Sequence, residues 1–266
     1  LFAELMNTLL GIPSVVASIA GVLLFTVLTI YGAAFLRKFN TVMTVSLIVC
    51  LLAILIAVVS IRGGVLLERI GNFNIGPEWG LATIPAHFMM ILNYCFTNSS
   101  WGSTLSNYSD QIQTKKDAIG TGVTIGVLVT LLFIMTGLIV LPFMPEVMAG
   151  TPILMICQQY LSPVLTIIYW IVVIFSVVST APSFTYNFSN RWVTLWKGEQ
   201  VSRKVKFFIL SLAYLVVCWI ISGVGLMAIV QKGYIMLGKI ALFAIVIPLF
   251  ISIPRVWKKD KEDAAA

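Results

Sequence analysis

Long apolar stretches alternate with short polar loops along the chain, and seven of them read as membrane crossings: about Pro13 to Leu36, Phe39 to Ile61, Leu81 to Leu105, Ile119 to Phe143, Pro163 to Val193, Val205 to Val224 and Ile235 to Ile253. A helix rises about 1.5 Å per residue and the hydrocarbon core is about 30 Å thick, so roughly 20 apolar residues make a crossing. Between the fourth and fifth stretches, Thr151 to Leu161 predicts a short reentrant or external surface helix, opened by Thr151-Pro152 because proline suits the first helical position. The residues before Pro13 are polar enough to read as a loop. Gly223, Gly225, Gly233 and Gly238 crowd the link between the last two spans and predict a tight turn and close helix approach. Pro248 predicts a kink in the final helix.

The third stretch breaks the pattern. Leu81 to Leu92 is apolar apart from Thr83 and His87, but Asn93-Tyr94-Cys95-Phe96-Thr97-Asn98-Ser99-Ser100-Trp101-Gly102-Ser103 follows before charge appears at Asp110, Lys115 and Lys116. From Leu81 to Cys95 a helix would rise only about 22 Å, so the polar run is expected inside the membrane. Irregular backbone at that depth is tolerated where it is buried in protein or lines a wet cavity, and paired broken helices mark secondary transporters. The alternative is that Ser and Thr bond back to their own helix at a packed interface.

Composition narrows the class. Hydrophobic residues make up 59% of the chain, charged residues 10%, and the mean hydropathy is +1.02, values of an integral membrane protein. The single His and the four cysteines (Cys50, Cys95, Cys157, Cys218), with no Cys-x-x-Cys spacing, argue against a zinc site or a disulfide framework and for buried, inert thiols. The net charge of +7 does not point to nucleic acid, because the basic residues sit in short loops where they orient the protein. Arg37-Lys38, Lys115-Lys116, the group Arg191, Lys197, Arg203, Lys204 and Lys206, and the tail Arg255, Lys258, Lys259 and Lys261 place those ends, and so the C-terminus, in the cytoplasm. The opposite loops carry Arg62 and Arg69 offset by Glu68 and Glu78, then Glu146, then Lys232. The N-terminal end is thereby expected to face outward, which implies an odd number of helices upstream; three would make ten spans, seven of them visible here. Ala264 to Ala266 reads as an appended tail.

Ten spans, a broken sixth helix with a polar centre, a short external helix, the stretch Ser179-Thr180-Ala181-Pro182 followed by Tyr186-Asn187-Phe188-Ser189-Asn190-Arg191-Trp192, and Leu141-Pro142-Phe143-Met144-Pro145-Glu146-Val147 resemble the YkvI-like membrane proteins. That family belongs to the amino acid, polyamine and organocation superfamily, whose members share the LeuT-type inverted repeat. The resemblance covers almost the whole chain as helices four to ten, and it implies a fold and a transport mechanism more firmly than a substrate. It also implies that substrate sits between the broken first and sixth helices, which assigns Tyr94, Phe96, Thr97, Asn98 and Ser99 to the substrate, with Tyr94 to Ser100 as the break and Phe96 or Trp101 as an apolar wall. The first broken helix is absent from the sequence. In Na+-coupled members an ion lies against the eighth helix, a place Ser179 and Thr180 occupy here.

The residues themselves agree with that chemistry. Ser176, Ser179/Thr180 and Ser183 recur every three to four positions on one helical face, and hard hydroxyl and carbonyl oxygens suit Na+. Ser and Thr are also common in plain packing of membrane helices. All ten acids fall in loops, tails or helix ends, leaving no embedded carboxylate for a proton relay. His87 could titrate or merely pack, and Lys239, about one turn inside the last span, could snorkel outward or stand in for a metal ion. No motif of a hydrolase or redox enzyme is present. The expectation is an all-α, multi-pass plasma-membrane protein of LeuT type: a cation-coupled secondary transporter of amino acids or small amines, Na+ before H+, without other cofactor. Its partners would be a small-molecule substrate and the lipid bilayer. A transporter-shaped ligand sensor or receptor subunit without net transport is the alternative.

Overall fold

The structure, a computed structural model, describes residues 2–31, 33–72, 84–100, 102, 105, 111–147, 151–197, 201–225 and 228–265. Among them the chain is all helix with no strand. Five helices are long and apolar enough to cross a membrane: Phe35–Gly71, Lys115–Phe143, Pro163–Leu195, Arg203–Ser222 and Tyr234–Val256. This is a membrane protein with transmembrane helices.

In chain order the elements are α1 (Phe2–Leu10), α2 (Ser14–Ile30), α3 (Ala33–Gly71), α4 (Ile84–Ser99), α5 (Lys115–Val140), α6 (Pro152–Tyr160), α7 (Pro163–Leu195), α8 (Arg203–Ser222), α9 (Tyr234–Ala241) and α10 (Ile247–Ala265). Two of the seven expected crossings are shorter than read. α2 has 17 residues and α4 has 16, rises of about 26 and 24 Å, both below the core thickness. The expected outer end of the third span, 81–83, lies outside the described residues. The short helix expected at Thr151 to Leu161 falls within one residue of those bounds.

The segment before Pro13 is a helix rather than a loop. Phe2, Leu5, Met6 and Leu9 recur at helical spacing, a pattern hidden by the intervening Glu4, Asn7 and Thr8. Leu5 is buried beside Leu154 and Trp170, and the Phe2 ring meets Phe25 edge-on at 5.3 Å. α1 and α2 come so close that a Cβ on Gly21 would lie 2.8 Å from the Phe2 ring. Gly11, at φ +66°, turns the chain between them, a conformation that favours glycine.

The chain divides into two compact units: α1–α3 with α5–α8, and α4 with the C-terminal helices. The core of the first lies where α3, α5, α6 and α7 meet, around Ile54, Val58, Ile139, Phe143 and Ile156, all fully buried. Asn40 meets Ser183 while Ile54 and Val58 share a cluster with Val172, so α3 and α7 run antiparallel. Arg62, near the end of α3, meets Pro142, just past the end of α5, so α5 runs parallel to α3 and antiparallel to α7. The starts of α3, α5 and α8 and the end of α7 therefore gather at one end of this unit, with their basic residues.

At the other end, α3 leaves helical geometry at Arg62 (φ −128°, ψ 26°). Arg62 Nη1 donates to the Pro142 carbonyl at 3.1 Å and pairs with Glu146 at 3.4 Å, and its guanidinium lies 4.5 and 4.8 Å from the Phe143 and Tyr160 ring centres. Arg69 Nη2 donates to the Met144 carbonyl at 2.6 Å. Tyr160 donates to Glu146 at 2.9 Å, and that hydrogen bond and charge hold its phenol above the usual tyrosine range.

In the second unit, Gly238 of α9 approaches Asn93 of α4 so closely that the Asn93 oxygens stand where a Cβ would be. Gly225 adopts φ +96° in the preceding turn. The expected close approach is present, made against α4; the expected turn is described at Gly225, while 226–227 lie outside the described residues. The last helix departs from α geometry before Pro248, through a π turn at Leu242–Val246, and a second π turn at Ile229–Gly233 precedes α9. Pro248 has no N–H to give one turn back, and a widened turn directly before it relieves that missing bond.

Candidate functional site

The two groups of expected site residues fall in different units. In the first, α7 is held at its start by Ser162, whose Oγ accepts from Leu165 N, and by Pro163 at the first helical position. The helix then continues through Pro182 for 33 residues. Ser179 Oγ and Thr180 Oγ1 both donate to the Ser176 carbonyl, at 2.9 and 2.8 Å, and Ser183 Oγ donates to the Ser179 carbonyl at 2.9 Å. Each proton is thus directed into the helix, and the lone pairs of three hydroxyls remain as acceptors. Ser179 is buried and Thr180 half-buried.

Ser176, Val177, Thr180 and Ala181 line an open groove of about 350 Å³, mostly apolar. Its volume falls in the range of small-molecule sites. Asn40, at the start of the apolar run of α3, donates through Nδ2 to Ser183 Oγ at 3.0 Å, and its Oδ1 is buried without a hydrogen-bond donor among the described residues. A buried amide oxygen left without a donor is uncommon and points to a missing ligand or water. Sequence reasoning missed Asn40, since as the second residue of the expected span Phe39 to Ile61 it reads as an ordinary polar residue at a helix start. Asn187 lies one turn beyond Ser183 on the same face.

The second group sits on α4. Here the expected break is corrected: the helix is continuous through Ser99, and Ser100 begins a 3₁₀ turn. Thr97 Oγ1 reaches the Asn93 carbonyl at 3.0 Å, Asn98 Nδ2 the Tyr94 carbonyl at 2.8 Å, Ser99 Oγ the Phe96 carbonyl at 2.6 Å and Ser100 Oγ the Thr97 carbonyl at 2.7 Å. The polar side chains satisfy themselves on carbonyls three or four residues back, so the backbone has no need to open. Trp101 lies outside the described residues.

The five substrate candidates do not share one environment. Thr97 is buried and also donates to the Tyr234 carbonyl of α9 at 2.8 Å, which makes it a tie between helices. Tyr94 is exposed, with its ring edge-on to Tyr234 at 6.4 Å. Phe96, Asn98 and Ser99 are half-buried, and the oxygens of Asn98 and Ser99 keep acceptor capacity. His87 is half-buried and Lys239 exposed.

Of the thiols, Cys50 and Cys157 are buried as expected, whereas Cys95 and Cys218 are exposed on apolar helices, where a small soft side chain is tolerated. Among the described acids, Glu68, Asp117 and Glu146 are exposed and lie at helix ends or in the α5–α6 connection. No cluster of three His, Cys, Asp or Glu occurs among the described residues. The chain matches no family model, no curated protein and no solved structure.

Proposed function

We propose that this protein is a cation-coupled secondary transporter of amino acids or small amines, with Na+ the coupling ion ahead of H+, working by alternating access in a LeuT-type fold of the YkvI-like kind. The observation that carries the reading is the oxygen set on α7. Ser179, Thr180 and Ser183 direct their protons into their own helix and keep acceptor capacity, Ser183 taking one bond from Asn40 Nδ2, and the Asn40 Oδ1 is buried beside Ser183. Neutral oxygens of this kind suit a hard, weakly charged ion, and an amide carbonyl suits it as well as a hydroxyl does. The groove along Ser176 and Thr180 has room for a small amine or amino acid.

The test is a thermal-shift screen of the protein against amino acids and amines, in Na+ and in a choline substitute. A ligand at about 100 times its Kd stabilises the native state by roughly 2.7 kcal/mol. The expected hit appears in Na+ only, and its Na+ dependence is lost in Ser179→Ala/Thr180→Ala. Vesicles that show neither gradient-driven uptake nor exchange across the panel would end the transporter reading. Binding without flux would favour a ligand sensor.

A further inference from the structure

The end of the first unit where α7 stops and α8 starts carries a surface unrelated to the groove. Between Arg191 and Lys206 the chain holds five cations, Arg191, Lys197, Arg203, Lys204 and Lys206, against the single acid Glu199. Two contacts fold the first turn of α8 onto the last turns of α7. Arg203 Nη2 donates to Asn190 Oδ1 at 3.4 Å, and Lys206 Nζ donates to the Trp196 carbonyl at 3.1 Å with its ammonium 5.9 Å from the indole centre. Lys206 is buried in making this contact; Arg191, Lys197 and Lys204 are exposed, with no salt bridge among the described residues.

Beside these cations stand two indoles, Trp192 at 50% and Trp196 at 37% exposure. Directly next to them begin the apolar outer faces of the two helices, with Leu195, Val205, Phe208 and Ile209 all exposed. Cations, indoles and exposed apolar side chains thus adjoin one another over the ends of two helices that read as crossings. A lipid offers all three a partner, a phosphate for the cations, the interfacial zone for the indoles and acyl chain for the rest. A soluble anion would engage only the cations. Three cations in the first turn of α8 also oppose the positive end of its own helix dipole, an arrangement relieved by an anion lying over it.

We propose that the α7–α8 hairpin is a binding surface for the phosphate headgroups of anionic membrane lipids. The proposal stands independently of transport. Arg191, Lys197 and Lys204 supply the charge, Trp192 and Trp196 lie beside it at the helix ends, and Lys206 holds the hairpin in shape.

The experiment reconstitutes the full chain with phosphatidylglycerol or phosphatidylcholine brominated on the acyl chain near the headgroup, and reads tryptophan quenching. Subtracting the signal of Trp192→Phe/Trp196→Phe isolates the two indoles. The expected preference for the anionic lipid is about fivefold at low salt, shrinking at about 0.5 M salt and falling toward equality in Arg191→Gln/Lys197→Gln/Lys204→Gln. Lys197→Arg/Lys204→Arg, which keeps the charge, should retain it. An equal affinity for the two lipids in the unaltered protein, or a preference indifferent to salt, overturns the proposal even where the triple variant fails to fold. Relief of the quenching by millimolar inorganic phosphate would likewise overturn it, in favour of a site for a soluble anion.

Discussion

Thr97 shares its one proton between the Asn93 carbonyl of its own helix and the Tyr234 carbonyl of α9, and it is almost fully buried while doing so. Thr97→Val keeps the shape and removes the donor, leaving the Tyr234 carbonyl short of a partner. A loss of about 1 kcal/mol in reversible unfolding is expected, and Thr97→Ser should recover most of it. Gly238, facing Asn93 across the same pair of helices, admits no Cβ without displacement. Gly238→Ala should therefore destabilise by about 1–3 kcal/mol, the range for overpacking, read in the same assay. At the opposite end of the chain's polarity, Tyr160 donates to Glu146 and holds its proton above the usual tyrosine range. A raised folded value means that the neutral phenol stabilises the fold; this contribution is complete below about pH 10 and fades as pH rises through the folded value. Tyr160→Phe should melt below the unaltered protein at pH 8, and the gap should close as pH climbs past 10.

At the level of elements, the two arginines of α3 grip the segment after α5 through backbone carbonyls, and the Arg62 guanidinium also lies over two rings. Lysine offers neither the planar face nor the fork of donors. Arg62→Lys is expected to lower the melting temperature by nearly as much as Arg62→Ala, and parity between Arg62→Lys and the unaltered protein would refute this account. The short helix at Pro152, the long apolar helices and the glycine turn were legible because each rests on a local rule: a proline at the first helical turn, sustained apolar length, a residue free to adopt positive φ. The helix at Phe2 was overlooked because its apolar stripe is only nine residues long and polar residues fill the gaps. The polar run of α4 misled for a different reason. Polarity in a membrane helix predicts an opening only if the side chains lack partners, and Thr97, Asn98, Ser99 and Ser100 find theirs within one turn. Which of the two happens depends on rotamers, and rotamers leave no trace in a pattern of residue types.

For the molecule as a whole, the class was plain from composition, and the common face of Ser176, Ser179/Thr180 and Ser183 was legible from its three-to-four spacing. Asn40 was not, because its meaning comes from a neighbour 143 positions away. If the α7 oxygens hold a cation, Asn40→Ala should weaken Na+ binding severalfold without unfolding the protein, since its Nδ2 bond to Ser183 is the one contact sacrificed; isothermal titration decides it. The π turns of the C-terminal helices bear on the chain in another way. Each lodges about one residue more than an α-helical turn would, and one residue is worth about 100° of rotation. Everything after Val246 is thus turned out of phase with α9, so that positions spaced by seven on either side of the turn do not lie on a common stripe. Removing Ala244 would rewind the turn and present a side of α10 about 100° further round to whatever surrounds it, a change of address for a whole helix made without altering one of its residues.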